Sequence, residues 1–425
     1  MSKTVELRIH GIAAGGAGVG RLPDGRVAFV QRTAPDETVR ARIVEEKRRW
    51  VRADLLRVLE PSPVRRAAPC PHYRNCGGCT IEHLEYPAQL RAKSAIVGDA
   101  LRRIGALDAA NPEVTPSPEE FRYRNRVSFT LLRLGAGRVV AGFHELNRPD
   151  RVVDITSACL LPEPAVAEAW AGLREAWGPD ANRLPSGRQL RLTLRASAAG
   201  EVTLLVEGGY ARGRPEELLG LVPRLVSIWH RTPVGAPELL AGAGHLDETW
   251  GEESLRLGAA TFLQVNRSAA ALLERHVLEL AGDVQGRTVI DAYCGVGVHA
   301  RRLARLGARV TGIELDAEAV RTAEEAGPPG ARFIAGRVEE ELPGVLPADL
   351  VILNPPRTGL DAAVPAALLA SRPARIIYVS CDPATLARDL SRLSAGYVIR
   401  SVRAFDMFPQ TSHVETVVGL ECVTT

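Results

Sequence analysis

Thr288-Val289-Ile290-Asp291-Ala292-Tyr293-Cys294-Gly295-Val296-Gly297 is an apolar run that stops on a glycine turn. Residues 298–306 continue in a helical pattern, and 309–315 form a second buried run that contains Glu314 near its end. Strand, turn, helix and strand in this order predict a parallel pair joined by a right-handed crossover. The alternation continues with a helix at 316–326 and buried strands at 332–335, 349–353 and 375–380. An antiparallel pair at 397–404 and 415–421 closes the chain. The expectation is an α/β fold with a doubly wound sheet over residues 251–425. Ligands of such sheets sit at the carboxyl ends of the strands.

The chemically distinctive groups of this region fall at the carboxyl ends of strands. The turn at Tyr293–Gly297 lets a ligand approach the backbone closely. Glu314 ends the next strand, where an acid can hold both hydroxyls of a ribose. Together they mark a nucleoside cofactor, and an NAD site would look similar. Asn354-Pro355-Pro356-Arg357 ends the fourth strand. Its amide is held by two prolines and can bond a planar base edge; a plain Pro-Pro turn would have the same sequence. Cys381 ends the fifth strand, and Glu415 follows the irregular stretch 405–414 beside His413. A buried structural cysteine and a surface acid are the bland alternatives. The sharper reading is a nucleophile and a base, which suit methylation of a carbon such as uracil C5. Thiolate attack at C6 pushes electron density to C5, and a base then removes the C5 proton. S-adenosylmethionine is therefore preferred to NAD. His413 is the second candidate for the base.

The rest of the chain is less regular. Residues 1–60 hold short alternating strands broken by Gly15, Gly16, Gly18 and Gly20, which suggests a small OB-like barrel. Pro61-Ser62-Pro63 marks a linker. Residues 61–250 are expected to form a mixed α/β central domain, with a helix near 89–104 and strands at 126–134, 189–196 and 201–207. Within it, Cys70, Cys76 and Cys79 crowd into ten residues. In a reducing compartment such a cluster argues for a metal site over disulfides. Cys159 is the natural fourth ligand, and four thiolates fit either an iron–sulfur cluster or structural zinc.

Composition excludes several classes. At 425 residues with 46% hydrophobic and 24% charged content, the chain is an ordinary globular protein of two or three domains. No apolar run approaches membrane-spanning length and Met1–His10 lacks a signal-peptide core, so a cytoplasmic location without membrane contact is expected. A net charge of +3 excludes a polybasic binder. Residues 40–66 nonetheless carry a local excess of arginine that can contact phosphates.

These residues together resemble the RNA uracil-C5 methyltransferases, over essentially the whole chain. The resemblance implies a TRAM domain at 1–60 and a class I methyltransferase sheet at 251–425. It implies S-adenosylmethionine as methyl donor and a [4Fe–4S] cluster on Cys70, Cys76, Cys79 and Cys159. Phe262-Leu263-Gln264-Val265-Asn266 is similar to the family's F-x-Q-x-N segment, whose glutamine contacts the cofactor. Tyr293, Glu314 and Asn354 match further cofactor-contacting positions. Cys381 matches the nucleophile and Glu415 the base. RNA is the implied partner, 23S ribosomal RNA ahead of transfer RNA; the sequence does not give the oligomeric state, and a monomer is the default.

Two positions depart from the family pattern. Asn354 stands where the family has aspartate, and Asp382 where it has asparagine. An acid and an amide look exchanged between neighbouring strands, so compensated hydrogen bonding between them is expected. Otherwise, Asp382 would disfavour the Cys381 thiolate unless Arg357 offsets it. Val298 replaces a polar cofactor contact of some relatives. The rivals are a base amino-methyltransferase, a radical S-adenosylmethionine enzyme and a non-catalytic RNA-binding protein. The first needs an aromatic residue where Arg357 stands, and the second has a different cysteine spacing and fold. The third is at odds with the joint presence of Cys381 and Glu415.

Overall fold

The computed structural model describes residues 3–156 and 158–423. Strands β1 (Thr4–Ile12), β2 (Ala17–Arg21), β3 (Val27–Gln31), β4 (Thr38–Glu46) and β5 (Trp50–Glu60) close into a barrel in the order β1-β2-β3-β5-β4. Alternation decides its inside: Val39, Ala41 and Ile43 of β4 point inward while Arg40 and Arg42 stay exposed.

Helix α1 (Tyr86–Arg103) and strand β6 (Glu113–Thr115) follow. Pro87 lies in the first turn of α1, and Arg102 and Arg103 in its last, as the helix dipole favours. The next strands are β7 (Arg126–Gly135), β8 (Arg138–Glu145) and β9 (Arg148–Asp154), then α2 (Pro164–Ala176), β10 (Gln189–Ala196), β11 (Val202–Glu207), α3 (Pro215–Leu221), β12 (Leu225–Arg231) and β13 (Glu238–Gly242). They build a seven-stranded sheet, β13-β12-β11-β10-β7-β8-β9. Its apolar face packs on α2, where Trp170 stacks on Phe129 with ring centroids 4.1 Å apart. A hairpin of β14 (Leu246–Trp250) and β15 (Glu253–Leu257) leads onward.

The C-terminal part comprises α4 (Arg267–Ala281), β16 (Thr288–Ala292), α5 (Val298–Arg305), β17 (Arg309–Glu314), α6 (Ala317–Glu325), β18 (Ala331–Ala335), α7 (Val338–Val345), β19 (Leu350–Leu353), α8 (Ala363–Ser371), β20 (Arg375–Ser380), α9 (Pro383–Leu393), β21 (Tyr397–Phe405) and β22 (Glu415–Cys422). The sheet order is β18-β17-β16-β19-β20-β22-β21-β6. Strands β16 to β20 run parallel, and β22 is antiparallel to both of its neighbours. Both faces are covered. Ile377 and Val379 of β20 pack on the α4 and α5 side, while Ile376 and Tyr378 pack on the α7, α8 and α9 side. That is why β19 reads as an unbroken apolar run. Val97 and Leu101 of α1 join the second layer, and β6 pairs with β21 at the sheet edge. Strand order reverses between β16 and β19, which opens a crevice at their carboxyl ends. Among the described residues no helix is long and apolar enough to cross a membrane.

Candidate active site

A cleft of about 850 Å³ lies at that reversal. Gln264, Tyr293, Glu314, Asn354, Cys381 and Glu415 all line it, so the six residues singled out from sequence share one wall system. The turn after β16 is built for close approach. Tyr293 and Gly295 are left-handed, and a Cβ built on Gly295 would meet nothing within 4 Å. Gly297 is different: a Cβ there would come within 2.7 Å of the Phe333 ring. Glu314 accepts from Gly295 N and from Asp316 N, each at 2.9 Å, which fixes its carboxylate at the floor of the turn. Asp291 behind it is fully buried, and burial pushes its carboxyl up to about 7. The open glycine turn and the backbone-held acid beside it suit the sugar end of an adenosine cofactor.

Asn354 is placed by the end of β19, its N–H donating to Ala292 O at 3.2 Å. Cys381 follows β20 directly and is half-buried. Glu415 opens β22 and is 5% exposed. Burial raises the Cys381 thiol to about 11, helped by the charges of Glu415 and Asp382, while the Arg357 guanidinium lowers it. Burial likewise raises Glu415 to about 7, again opposed by Arg357. His413 lines the same cleft but is lowered to about 4, chiefly by burial and then by Arg357. A carboxylate near 7 is better matched to proton removal at neutral pH than an imidazole near 4. Arg357 thus favours the ionised form of both the thiol and the carboxyl.

The expected exchange between Asn354 and Asp382 takes a different form. Asp382 caps α9, accepting from Ala384 N and Thr385 N at 2.9 Å each. No hydrogen bond joins it to Asn354 among the described residues. Aspartate and asparagine cap helices about equally well, so the helix terminus explains position 382 without reference to Asn354. Asn266 was legible as part of a motif but not in its role. It caps α4 through Ala269 N at 3.1 Å and donates to Ser117 Oγ at 3.0 Å and Met407 O at 3.3 Å. A lone asparagine before a helical pattern was the available signal.

Cys70, Cys76, Cys79 and Cys159 border a second, small cavity together with Glu82. All four are free thiols. Burial raises each of them, Cys76 to about 11 and Cys159 to about 12; Glu82 adds to the effect at Cys70, Cys76 and Cys79, and neighbouring thiols at Cys76, Cys79 and Cys159. Glu82 Oε1 accepts from Cys70 N at 2.7 Å, while its buried Oε2 has no partner. Among the described residues no group of three or more His, Cys, Asp or Glu side chains is arranged to hold a metal ion. The donor set itself, four soft thiols walled together, fits a thiolate-bound group.

Comparison with known proteins adds to this geometry. The family profile described as tRNA (Uracil-5-)-methyltransferase matches residues 346–423, a TRAM domain profile matches 2–56, and a methyltransferase domain profile matches 290–354. The chain is 36% identical to an uncharacterized RNA methyltransferase of Gloeobacter violaceus, covering 99% of this chain and 96% of that protein. It is 33% identical to another from Halalkalibacterium halodurans, covering 98% and 96%. The crystal structure of Pyrococcus abyssi tRNA (uracil-54, C5)-methyltransferase with S-adenosyl-L-homocysteine superposes with a TM-score of 0.76 at 27% identity, covering 97% of this chain and all of that one. With the β16–β19 cleft at its centre, the chain belongs to the TRAM-bearing, S-adenosylmethionine-dependent RNA uracil-C5 methyltransferases.

Proposed function

We propose that the enzyme methylates C5 of one uridine in RNA by a covalent route. Cys381 Sγ gives its proton to solvent and bonds to C6, and the C5=C6 electrons move to C5. S-adenosylmethionine, when bound, supplies an electrophilic methyl group to that carbon. Glu415 then takes the C5 proton, the C5=C6 bond re-forms and the C6–Sγ bond breaks, returning Cys381. Gln264, Tyr293, Glu314 and Asn354 bind and orient the methyl donor. The target uridine must leave its stack to enter the cleft. The observation that carries this reading is that Cys381 and Glu415 face the same cleft as the cofactor turn. All of these residues come from one chain, so a monomer suffices. The four-cysteine pocket and the barrel favour 23S ribosomal RNA by resemblance; the name of the Pyrococcus abyssi relative favours transfer RNA.

The test uses RNA tritiated at uracil C5, from ribosomal and transfer fractions separately. Wild type is expected to release tritium from one fraction, and Cys381→Ala from neither. Release by Cys381→Ala at the wild-type rate would overturn the covalent route.

Cys70, Cys76, Cys79 and Cys159 would hold a [4Fe–4S] cluster with a structural role, since the methylation needs no electron transfer. Anaerobically purified protein is expected to contain about four irons and four sulfides. Zinc without sulfide would replace the cluster by a single-ion site.

A further inference from the structure

Between β21 and β22 the chain runs through Asp406–Val414 without regular secondary structure, yet most of this loop is buried. Its inner side presents Phe408 and His413 to the cleft, and Glu415 follows immediately. Its outer side is centred on Gln410, which is fully buried and left-handed at φ 70°. Left-handed backbone is ordinarily left to glycine or asparagine. A glutamine here is held by its own bonds. Its carbonyl accepts from Thr80 N at 3.0 Å and Ile81 N at 3.1 Å. Its N–H donates to Gln89 Oε1 at 2.9 Å. Its side-chain Oε1 accepts from Gln89 Nε2 at 2.8 Å and Arg66 Nη2 at 2.9 Å, and its Nε2 donates to Glu120 O at 3.2 Å.

Every polar atom of Gln410 is therefore used, and the partners come from separate segments: residues 66, 80–81, α1 and 120. Neighbouring bonds repeat the pattern. Ser412 N donates to Thr80 Oγ1 at 3.1 Å, and Tyr123 Oη donates to Pro409 O at 3.1 Å. No side chain of this set reaches the cleft. The bonds instead fix where the loop ends, and so where Glu415 begins β22.

We propose that Gln410 is a positioning residue for the proton-removal step. Its side-chain amide locks the loop to α1, Arg66 and Glu120, its carbonyl holds the Thr80–Ile81 segment that adjoins Cys79, and together they aim Glu415 at the C5 proton. The proposal rests on the assignment of Glu415 as base. Loosening the lock slows elimination more than it slows Cys381 addition, so the methylated RNA–protein adduct accumulates.

Full-length enzyme would be incubated with RNA tritiated at C5 and, separately, with methyl-labelled S-adenosylmethionine. Release of tritium and the fraction of enzyme in a denaturant-stable, methyl-labelled RNA adduct would both be measured. Glu415→Gln is the control and is expected to accumulate adduct; if it does not, the base assignment fails, and the lock with it. Gln410→Gly suits the left-handed backbone and removes the side chain while keeping the backbone bonds to Thr80, Ile81 and Gln89. It is expected to slow release roughly 10- to 100-fold and raise the adduct fraction, with KM for S-adenosylmethionine unchanged. Gln410→Glu keeps the acceptor used by Arg66 and Gln89 but loses the donor to Glu120 O, and is expected to restore part of the rate. Should Gln410→Gly not fold, Arg66→Met removes one bond to the same amide and is read in the same way. With Glu415→Gln trapping adduct, a Gln410 variant that releases tritium at the wild-type rate overturns the proposal. So does one that loses release and adduct in equal proportion.

Discussion

Lys93 is one of three lysines in the chain, and it is the one placed entirely inside. Its Nζ donates to Asp406 Oδ1 and, at 3.0 Å, to Phe408 O, with both members of the ion pair fully buried. Lys93→Met keeps the volume of the stem and removes the charge. Asp406 would then be a buried carboxylate without a cation, and its Oδ2 already lacks a partner. Breaking a buried pair from one side costs about 3–5 kcal/mol. A unit of this size loses roughly 2–4 °C per kcal/mol, so its calorimetric midpoint should fall by roughly 6–20 °C. Lys93→Met/Asp406→Leu removes both charges and should recover most of the loss, because the penalty lies in the charge left behind. If the single and double variants melt within about 2 °C of each other, the pair is not coupled and the reasoning fails.

Two further outcomes follow from the site. Glu415 works as a base only when ionised, and burial raises it to about 7. Tritium release should therefore fall as pH drops below about 7, approaching tenfold per unit; a wild-type profile flat down to about pH 5 would place the carboxyl in water instead. Asp382→Asn should change stability by less than about 0.5 kcal/mol while Asp382→Ala loses about 1 kcal/mol, measured by denaturant unfolding. Asn354→Asp should be no better in the Asp382→Asn background than alone, and rescue there would restore the idea of a direct exchange.

The sheet and the cleft were legible because their signals are local. Strands buried on both faces read as apolar runs, and the cleft residues lie at strand ends, where topology alone brings them together. Arg357 was also legible as the offsetting cation, since it lies three residues after Asn354 in the same turn. Long-range pairings were not legible. Nothing in Glu113–Thr115 announces that three residues will add an edge strand to a sheet whose other members begin at Thr288. The bonds of Gln410 were hidden for the same reason, since its partners lie about 290 to 344 positions upstream. The capping role of Asp382 was not legible, because aspartate and asparagine cap a helix about equally well and the residue type alone does not tell a cap from a partner of Asn354.

The edge strand β6 and the helix α1 have a bearing on how the protein can be made and divided. Both leave the ribosome long before β21, so a nascent chain carries them as an unmatched fragment until its last strands are synthesised. A truncated chain beginning at residue 251 would contain the whole parallel array and still leave β21 with a bare hydrogen-bonding edge and α9 without its cover. Such a fragment should self-associate. Supplying residues 86–115 as a separate peptide should return it to solution, a complementation that would make the two halves of this enzyme mutually dependent parts of one folding unit.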